Sequence, residues 1–216
     1  MTKIFLQIEV SKREEDSRLL LGLLAAEDGH EVYLGDTVKF IKENAEKTGV
    51  FHHTFAVPKK NNLEFFKYLK KNKFIITSQD EEAGIEQKNF DGSKPFDFLN
   101  LRYSDKSFKY LDAVFTWGPF DTKEIQNKYF NHKNKIFNTG SPRADLWKDR
   151  FGKIYKNKLN FKSNDFILIT SNFGTCLAEK PIWSQMLNLR LAYFENEDNN
   201  DYEYFAYEAY ANKTKL

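Results

Sequence analysis

The sequence predicts an α/β fold built around a doubly wound parallel sheet. Between roughly residues 3 and 155, short apolar runs alternate with longer amphipathic runs. Strands that alternate with helices in this way pair in parallel, because each parallel neighbour needs a crossover connection that lies on a face of the sheet. A chain of 216 residues is also long enough to bury a sizeable core.

The strand-like runs are short and rich in β-branched and aromatic residues. They are KIFLQIEV (3–10), HEVYLG (30–35), VFHHTFAV (50–57), KFIITS (73–78), DAVFTWG (112–118), NKIFNTG (134–140) and KSNDFILITSNFG (162–174). Between them, apolar residues recur at helical spacing. The predicted helices cover residues 11–29, 36–49, 61–72, 105–111, 121–130 and 141–155.

The first and last of these helices have the clearest signals. The first carries an apolar stripe formed by Leu19, Leu20, Leu23 and Leu24. Gly29 can end it in the left-handed region. The last helix begins at Ser141, a favoured N-cap residue, and has Pro142 at its first helical position.

Two breaks in the pattern suggest the organisation of the chain. Residues 80–104 interrupt the alternation, with DGSKPFD (91–97) at their centre. A polar linker, KNKLNFKSN (156–164), precedes the last predicted strand, and the residues after that strand are typical of helical or partly ordered sequence. We therefore expect one domain at 1–155 and a second region at 156–216.

Composition excludes several classes of protein. The 33 Lys and Arg residues nearly balance the 31 Asp and Glu residues, so bulk charge gives no reason to expect a nucleic-acid partner. The single cysteine, Cys176, excludes an internal disulfide framework and favours a reducing compartment. The N-terminus lacks the features of a signal peptide, and no apolar run reaches the length of a membrane span. We expect a cytoplasmic protein.

The sequence also favours the absence of a metal or resident cofactor. His52 and His53 alternate faces on a predicted strand, so one is expected to be buried and the other exposed, and no Cys or Asp stands beside them at ligand spacing. Neither a GxGxxG motif nor a P-loop occurs.

Candidate functional residues follow predicted strands, where open parallel sheets place ligands. The end of the first strand is crowded by charged residues: Glu9, Arg13, Glu14, Asp16 and Arg18. In one interpretation Ser11 and Glu14 form a capping box, with Glu14 accepting the Ser11 backbone N–H. In the other, the charged residues orient a substrate hydroxyl and shift the pKa of a carboxylate.

A second candidate is SQDEEAG (78–84), which places Asp80, Glu81 and Glu82 directly after an apolar strand. These acids suit a surface turn before a glycine. They also suit a general base acting on an acceptor hydroxyl. A divalent metal is the least favoured interpretation, because no second acidic cluster has ligand-like spacing.

Two further segments follow the fifth and sixth strands. FTWGPFD (115–121) places Trp117 either as a packing residue or as the wall of a cleft for sugar rings. NTGSPRADL (138–146) places Gly140, Ser141 and Arg143 at the start of a helix. They form either a well-capped helix start or a contact for an anion or a ligand hydroxyl.

Four segments together resemble the bacterial surface carbohydrate (surface polysaccharide) biosynthesis proteins, which are glycosyltransferases of GT-B architecture. They are EVSKREEDSRLLLGLLAAEDGHEVYLGD, SQDEEAG, DAVFTWGPFD and NTGSPRADLW, and the likeness runs over roughly residues 3–175. The TG-x-P-R-x-D element is also similar to a turn in wider GT-B folds, including CDP-glycerol glycerophosphotransferases and UDP-sugar epimerases.

The resemblance implies a Rossmann-like, acceptor-side domain followed by the beginning of a donor-binding domain. It implies transfer of a sugar from a nucleotide sugar to a glycan acceptor, without a metal or other cofactor, at a membrane surface or with a partner chain. Glu81 or Glu82 would be the base, with Glu14 as the alternative. The substrate contacts would be Arg13, Asp16, Asp80, Trp117, Gly140, Ser141 and Arg143. A non-catalytic scaffold or a polyol-phosphate transferase is the alternative function.

Overall fold

The computed structural model describes residues 1–44, 46–54, 56, 59–80, 99 and 102–151. The chain divides into two compact units, Met1–Leu159 and Asn160–Leu216, and every described residue belongs to the first. The strand predicted at 162–174 and the second region predicted at 156–216 lie outside the described residues.

Six parallel strands and six α-helices alternate along the described chain. The strands are β1 (Lys3–Gln7), β2 (Glu31–Gly35), β3 (Val50–His53), β4 (Ile75–Gln79), β5 (Ala113–Thr116) and β6 (Ile136–Asn138). The α-helices are α1 (Ser11–Glu27), α2 (Thr37–Glu43), α3 (Lys60–Lys71), α4 (Asp105–Phe108), α5 (Pro119–Lys128) and α6 (Pro142–Asp145). A 3-10 helix, Phe130–Lys135, leads into β6.

The strand order is β2-β1-β3-β4-β5-β6, and every neighbouring pair is parallel. The chain moves from β1 to β2 on one side and from β3 onward to the other side. The carboxyl ends of β1 and β3 therefore flank the point where the direction reverses, which is where doubly wound sheets bind ligands. The predicted Rossmann-like doubly wound sheet is confirmed.

The apolar core lies on one face of the sheet, beneath α2, α3, α4 and α5. Phe5 stacks on Tyr33 with 4.8 Å between ring centroids, and Phe51 meets Phe65 of α3 edge to face at 5.4 Å. Ile125 of α5 belongs to the same buried cluster. Aromatic pairs in these geometries add stability beyond the apolar area that they bury.

Helix α1 lies on the opposite face and turns a polar side toward the sheet. Its buried residues are Glu14, Ser17, Arg18 and Gly22. Gly22 faces β2, where a Cβ atom would lie at ordinary contact distance, 3.4 Å from Val32 Cγ1. The leucine stripe of the sequence points away from the sheet instead, and Leu23 is 57 % exposed. Small residues and the polar helix start, rather than apolar periodicity, set the orientation of α1.

This orientation predicts that Leu23→Lys changes the free energy of unfolding by no more than about 0.5 kcal/mol, as for other surface substitutions. Leu69→Ala, in the fully buried position of α3, should cost about 2 to 5 kcal/mol. Urea unfolding followed by circular dichroism compares the two variants. A loss of more than about 2 kcal/mol in Leu23→Lys would show that the stripe packs against protein.

Helices α2, α4 and α6 are clearly shorter than predicted, and α4 ends at Phe108 rather than at residue 111. Helix α2 ends at Glu43, and Asn44 is its C-cap, whereas the prediction extended to residue 49. Helix α6 covers only Pro142–Asp145. Their starts are those expected from capping: Ser141 Oγ accepts the Ala144 N–H at 3.4 Å, and Asp36 caps α2 by accepting the Lys39 N–H at 3.1 Å.

Candidate functional site

The carboxyl ends of β1 and β3 bring Glu9 and His53 together. Glu9 Oε1 lies 3.8 Å from His53 Nε2. His53 is buried at the end of β3, whereas Glu9 keeps 32 % of its side chain exposed. Burial raises the pKa of Glu9, and the charge of the nearby Glu14 raises it further. A carboxyl group that reaches water and binds its proton more tightly than usual is suited to exchange that proton with a ligand.

Glu14 anchors the loop that connects β1 to α1. Its side chain is fully buried, and Oε2 accepts the Glu9 backbone N–H at 2.8 Å. Oε1 accepts hydrogen bonds from Arg13 Nη2 at 2.7 Å and from Nε at 3.1 Å. The predicted capping box is wrong in its position, because Val10 is the N-cap and Glu14 bonds the N–H of Glu9 rather than that of Ser11. Asp16 lies on the exposed side of α1.

Asp80 and Arg102 form a buried ion pair at the carboxyl end of β4. Arg102 Nε donates to Asp80 Oδ2 at 2.6 Å, and Arg102 Nη2 donates to Oδ1. The side chains are only 8 % and 7 % exposed. The Arg102 charge also acts on Glu9, where it opposes the rise in pKa. A bidentate pair of this kind fixes the orientation of both groups, so Asp80 supports the edge of the sheet beside Glu9.

Lys59 adds a second ionisable group close to Glu9. It directly precedes α3 and is half-buried, whereas its neighbour Lys60 is exposed. Burial lowers the pKa of Lys59, and the Glu9 charge opposes this change. The proton affinities of the two groups therefore shift toward each other, which is a feature of sites that carry out acid–base chemistry.

Trp117 joins this cluster to the ends of β5 and β6. Its Nε1 donates to the Asp80 backbone carbonyl at 2.7 Å. The Arg143 guanidinium lies 6.0 Å from the ring centroid of Trp117 and 6.0 Å from that of Trp147. The two indoles are 6.4 Å apart, with an angle of 65° between their planes.

Two hydrogen bonds hold the backbone of the loop between β6 and α6 against the ends of β4 and β5. Gln79 Nε2, at the end of β4, donates to the Gly140 carbonyl at 2.6 Å, and the Gly140 N–H donates to the Thr116 carbonyl at 3.0 Å. Gly140 has φ +81°, a conformation that favours glycine. Ser141 is buried and caps α6, so its hydroxyl serves the helix start.

His52 lies on the face of the sheet that α1 covers. Its Nδ1 is 2.8 Å from Thr77 Oγ1. Both His52 and His53 are buried, so the expectation that one would be exposed is wrong: helices cover both faces of the sheet at β3. Burial lowers the pKa of His52 well below its ordinary range, and the Arg18 and His53 charges add to the effect.

His52 should make the protein less stable in acid. Its pKa in the folded state lies below the unfolded value of 6.5, so the unfolded state binds the extra proton and stability falls as pH decreases below about 6.5. One such group contributes up to about 1.4 kcal/mol per pH unit. Urea midpoints measured between about pH 5 and 7 should vary less for His52→Gln than for the wild type. If the urea midpoints of the two proteins change equally with pH, this account of His52 is wrong.

The structure brings most of the predicted residues to one edge of the sheet. Those in the loops and first helical turns that follow the strands are Arg13, Glu14, Asp80, Trp117, Gly140, Ser141 and Arg143. Glu81 and Glu82, the predicted bases, lie outside the described residues, as does Cys176. The sequence did not indicate a place in the site for three further residues, His53, Lys59 and Arg102. His53 was considered only as a metal ligand, and Arg102 belongs to the irregular stretch whose path no periodicity reveals.

Within the part of the chain that the structure describes, no three His, Cys, Asp or Glu side chains are grouped so that they could hold a metal ion. None of the described helices is both long enough and apolar enough to cross a membrane.

No family model and no curated protein matches the chain. A solved structure that matches is that of a YwlE mutant from Bacillus subtilis, at 13 % sequence identity over 74 % of this chain and 99 % of that chain, with a TM-score of 0.24. The predicted function as a glycosyltransferase, or another transferase, is contradicted, because this neighbour is not described as one. At so low a TM-score, the neighbour itself assigns no function to this chain. Membership of the surface carbohydrate family remains a prediction.

Proposed function

We propose that this domain binds a small hydroxylated molecule at the carboxyl ends of β1 and β3, and that Glu9 exchanges a proton with a hydroxyl group of that molecule. One observation carries the proposal: the Glu9 carboxyl lies 3.8 Å from His53 at the point where the sheet reverses direction. Ligands of doubly wound sheets bind at this point.

The surroundings of Glu9 favour a preorganised site. Glu14 fixes the Glu9 backbone through its N–H, and Asp80 and Arg102 hold each other in a bidentate ion pair. The Glu9 backbone and the nearby ion pair are therefore ordered without help from a ligand. Preorganised polar groups stabilise a bound ligand without the cost of ordering side chains.

Lys59 and His53 complement the carboxylate. An ammonium group or an imidazole N–H can donate a hydrogen bond to a second hydroxyl oxygen of the ligand, while Glu9 accepts from the first. The lowered pKa of Lys59 allows it to take up or release a proton closer to neutral pH than an exposed lysine does.

The test is a thermal-shift and calorimetric screen of the whole chain with polyols, hydroxy acids, nucleosides and carbohydrates at millimolar concentration. Carbohydrates are included because of the family resemblance. Glu9→Gln should weaken binding of any hit by about tenfold or more, as loss of a charge-assisted hydrogen bond does. Glu15→Gln, on the exposed side of α1, and Lys60→Met should leave binding unchanged. Unchanged affinity in Glu9→Gln would refute the proposal.

Glu9→Gln should also stabilise the folded protein at neutral pH. The pKa of Glu9 in the folded state lies above its ordinary value of 4.5, so stability falls as pH rises from about 4.5 through the folded pKa. Gln cannot ionise, so the substitution removes the cost of placing this charge in a partly buried position. The gain stays below about 1 kcal/mol because water screens a side chain that is a third exposed. If Glu9→Gln has a lower urea midpoint than the wild type at pH 7, burial does not raise the pKa of Glu9 as described.

A further inference from the structure

Trp147 exposes a large apolar surface beside the candidate site. It is 69 % exposed, although an indole is among the side chains that gain most from burial. It lies directly after α6, at the carboxyl edge of β6. An exposed indole on its own is ordinary, so its fixed neighbours determine what this one can do.

Those neighbours are a guanidinium group and a second indole. The Arg143 guanidinium lies 6.0 Å from its ring centroid and at the same distance from that of Trp117. Trp117 is in turn fixed by the 2.7 Å hydrogen bond from Nε1 to the Asp80 carbonyl. Trp147 therefore belongs to a set of three neighbouring flat π systems, of which its own ring is the most open to solvent.

The same contacts connect this set to the acid–base cluster. The Asp80 carbonyl accepts from Trp117, the Asp80 carboxylate pairs with Arg102, and the Arg102 charge acts on Glu9. Both groups of residues lie on the carboxyl edge of the same sheet, although β3, β4 and β5 lie between β1 and β6.

We propose that Trp147, Arg143 and Trp117 form a stacking surface for the flat aromatic ring of an anionic ligand such as a nucleotide. This inference goes beyond the proposed function, because it concerns the ends of β5 and β6 rather than those of β1 and β3. Indole faces and guanidinium planes are the groups on which aromatic bases stack, and the Arg143 charge suits an anionic substituent.

The test uses adenosine monophosphate as an aromatic probe and ribose 5-phosphate as the same hydroxylated anion without the ring, each titrated calorimetrically into the whole chain. Trp147→Ala should weaken binding of adenosine monophosphate by about 5- to 150-fold, the range measured for loss of one stacked base. It should leave ribose 5-phosphate binding unchanged. Phe130→Ala, which removes a 64 % exposed ring from the opposite edge of the sheet, is the matched control and should have no effect.

Equal binding of adenosine monophosphate by the wild type and Trp147→Ala, or no saturable binding by the wild type, would overturn the stacking surface. The same titrations on Glu9→Gln separate the two proposals. If Glu9→Gln weakens ribose 5-phosphate while Trp147→Ala has no effect on either probe, the hydroxyl site stands and the stacking surface does not.

Discussion

Asp80→Asn is expected to destabilise the folded protein by about 3 to 5 kcal/mol, because it leaves the Arg102 charge buried without its counterion. Both side chains are more than nine-tenths buried, and the pair is bidentate. Desolvation of the guanidinium is then no longer offset by the carboxylate. Chemical denaturation at neutral pH, monitored by tryptophan fluorescence and by circular dichroism, measures the loss.

A matched control exists on the surface. Lys39 and Glu43 form an exposed pair on α2 with 3.8 Å between Nζ and Oε1, and Glu43→Gln should cost no more than about 0.5 kcal/mol. The double variant Asp80→Asn with Arg102→Gln should recover part of the loss, since it no longer leaves a lone buried charge. A cost of less than about 1 kcal/mol for Asp80→Asn would mean that solvent reaches the pair.

Gly49→Ala is expected to cost about 3 kcal/mol, the sum of a backbone term of about 1 to 2 kcal/mol and an overpacking term of about 1 to 3 kcal/mol. Gly49 has φ +154°, which side chains other than glycine rarely adopt. A Cβ atom there would lie 2.7 Å from Phe5 Cε2 and 2.8 Å from the Lys3 carbonyl oxygen. The backbone oxygen cannot move without disturbing β1, so relaxation is limited.

Two other glycines separate these contributions. Gly29 has φ +82° with open space around it, so Gly29→Ala should show the backbone term alone, about 1 to 2 kcal/mol. Gly118 has an extended backbone and no atoms within 4 Å of a Cβ position, so Gly118→Ala should be close to neutral. Equal costs for Gly49→Ala and Gly29→Ala would show that β1 moves to accept the methyl group.

The fold could be predicted from the sequence because each strand is short, apolar and separated from the next by a helix. Local capping rules also located helix starts such as Ser141. The orientation of α1 could not be predicted, because the residues that it buries are small or polar and contribute nothing to apolar periodicity, while the exposed leucines dominate it. Tertiary contacts such as that of Glu14 with the Glu9 N–H override the local pattern.

For the candidate site, the sequence predicted only the edge of the sheet on which it lies. The rule that ligands bind at strand ends pointed to Glu9, Asp80 and Trp117. It could not show that Arg102 neutralises Asp80, since these residues are 22 positions apart across a stretch without periodicity. It also could not show that Lys59 approaches Glu9. Pairings of this kind depend on the order of strands in the sheet, which helical and strand periods do not encode.

The strand order also affects how the domain is made. Strand β1 ends at Gln7 and lies between β2 and β3, yet β3 begins only at Val50. During translation at about 5 to 20 residues per second, β1 emerges seconds before its second neighbour. Throughout that interval one edge of an apolar strand containing Phe5 and Leu6 is unpaired. The nascent chain therefore passes through a stage in which a chaperone, or another nascent chain, competes with β3 for this edge.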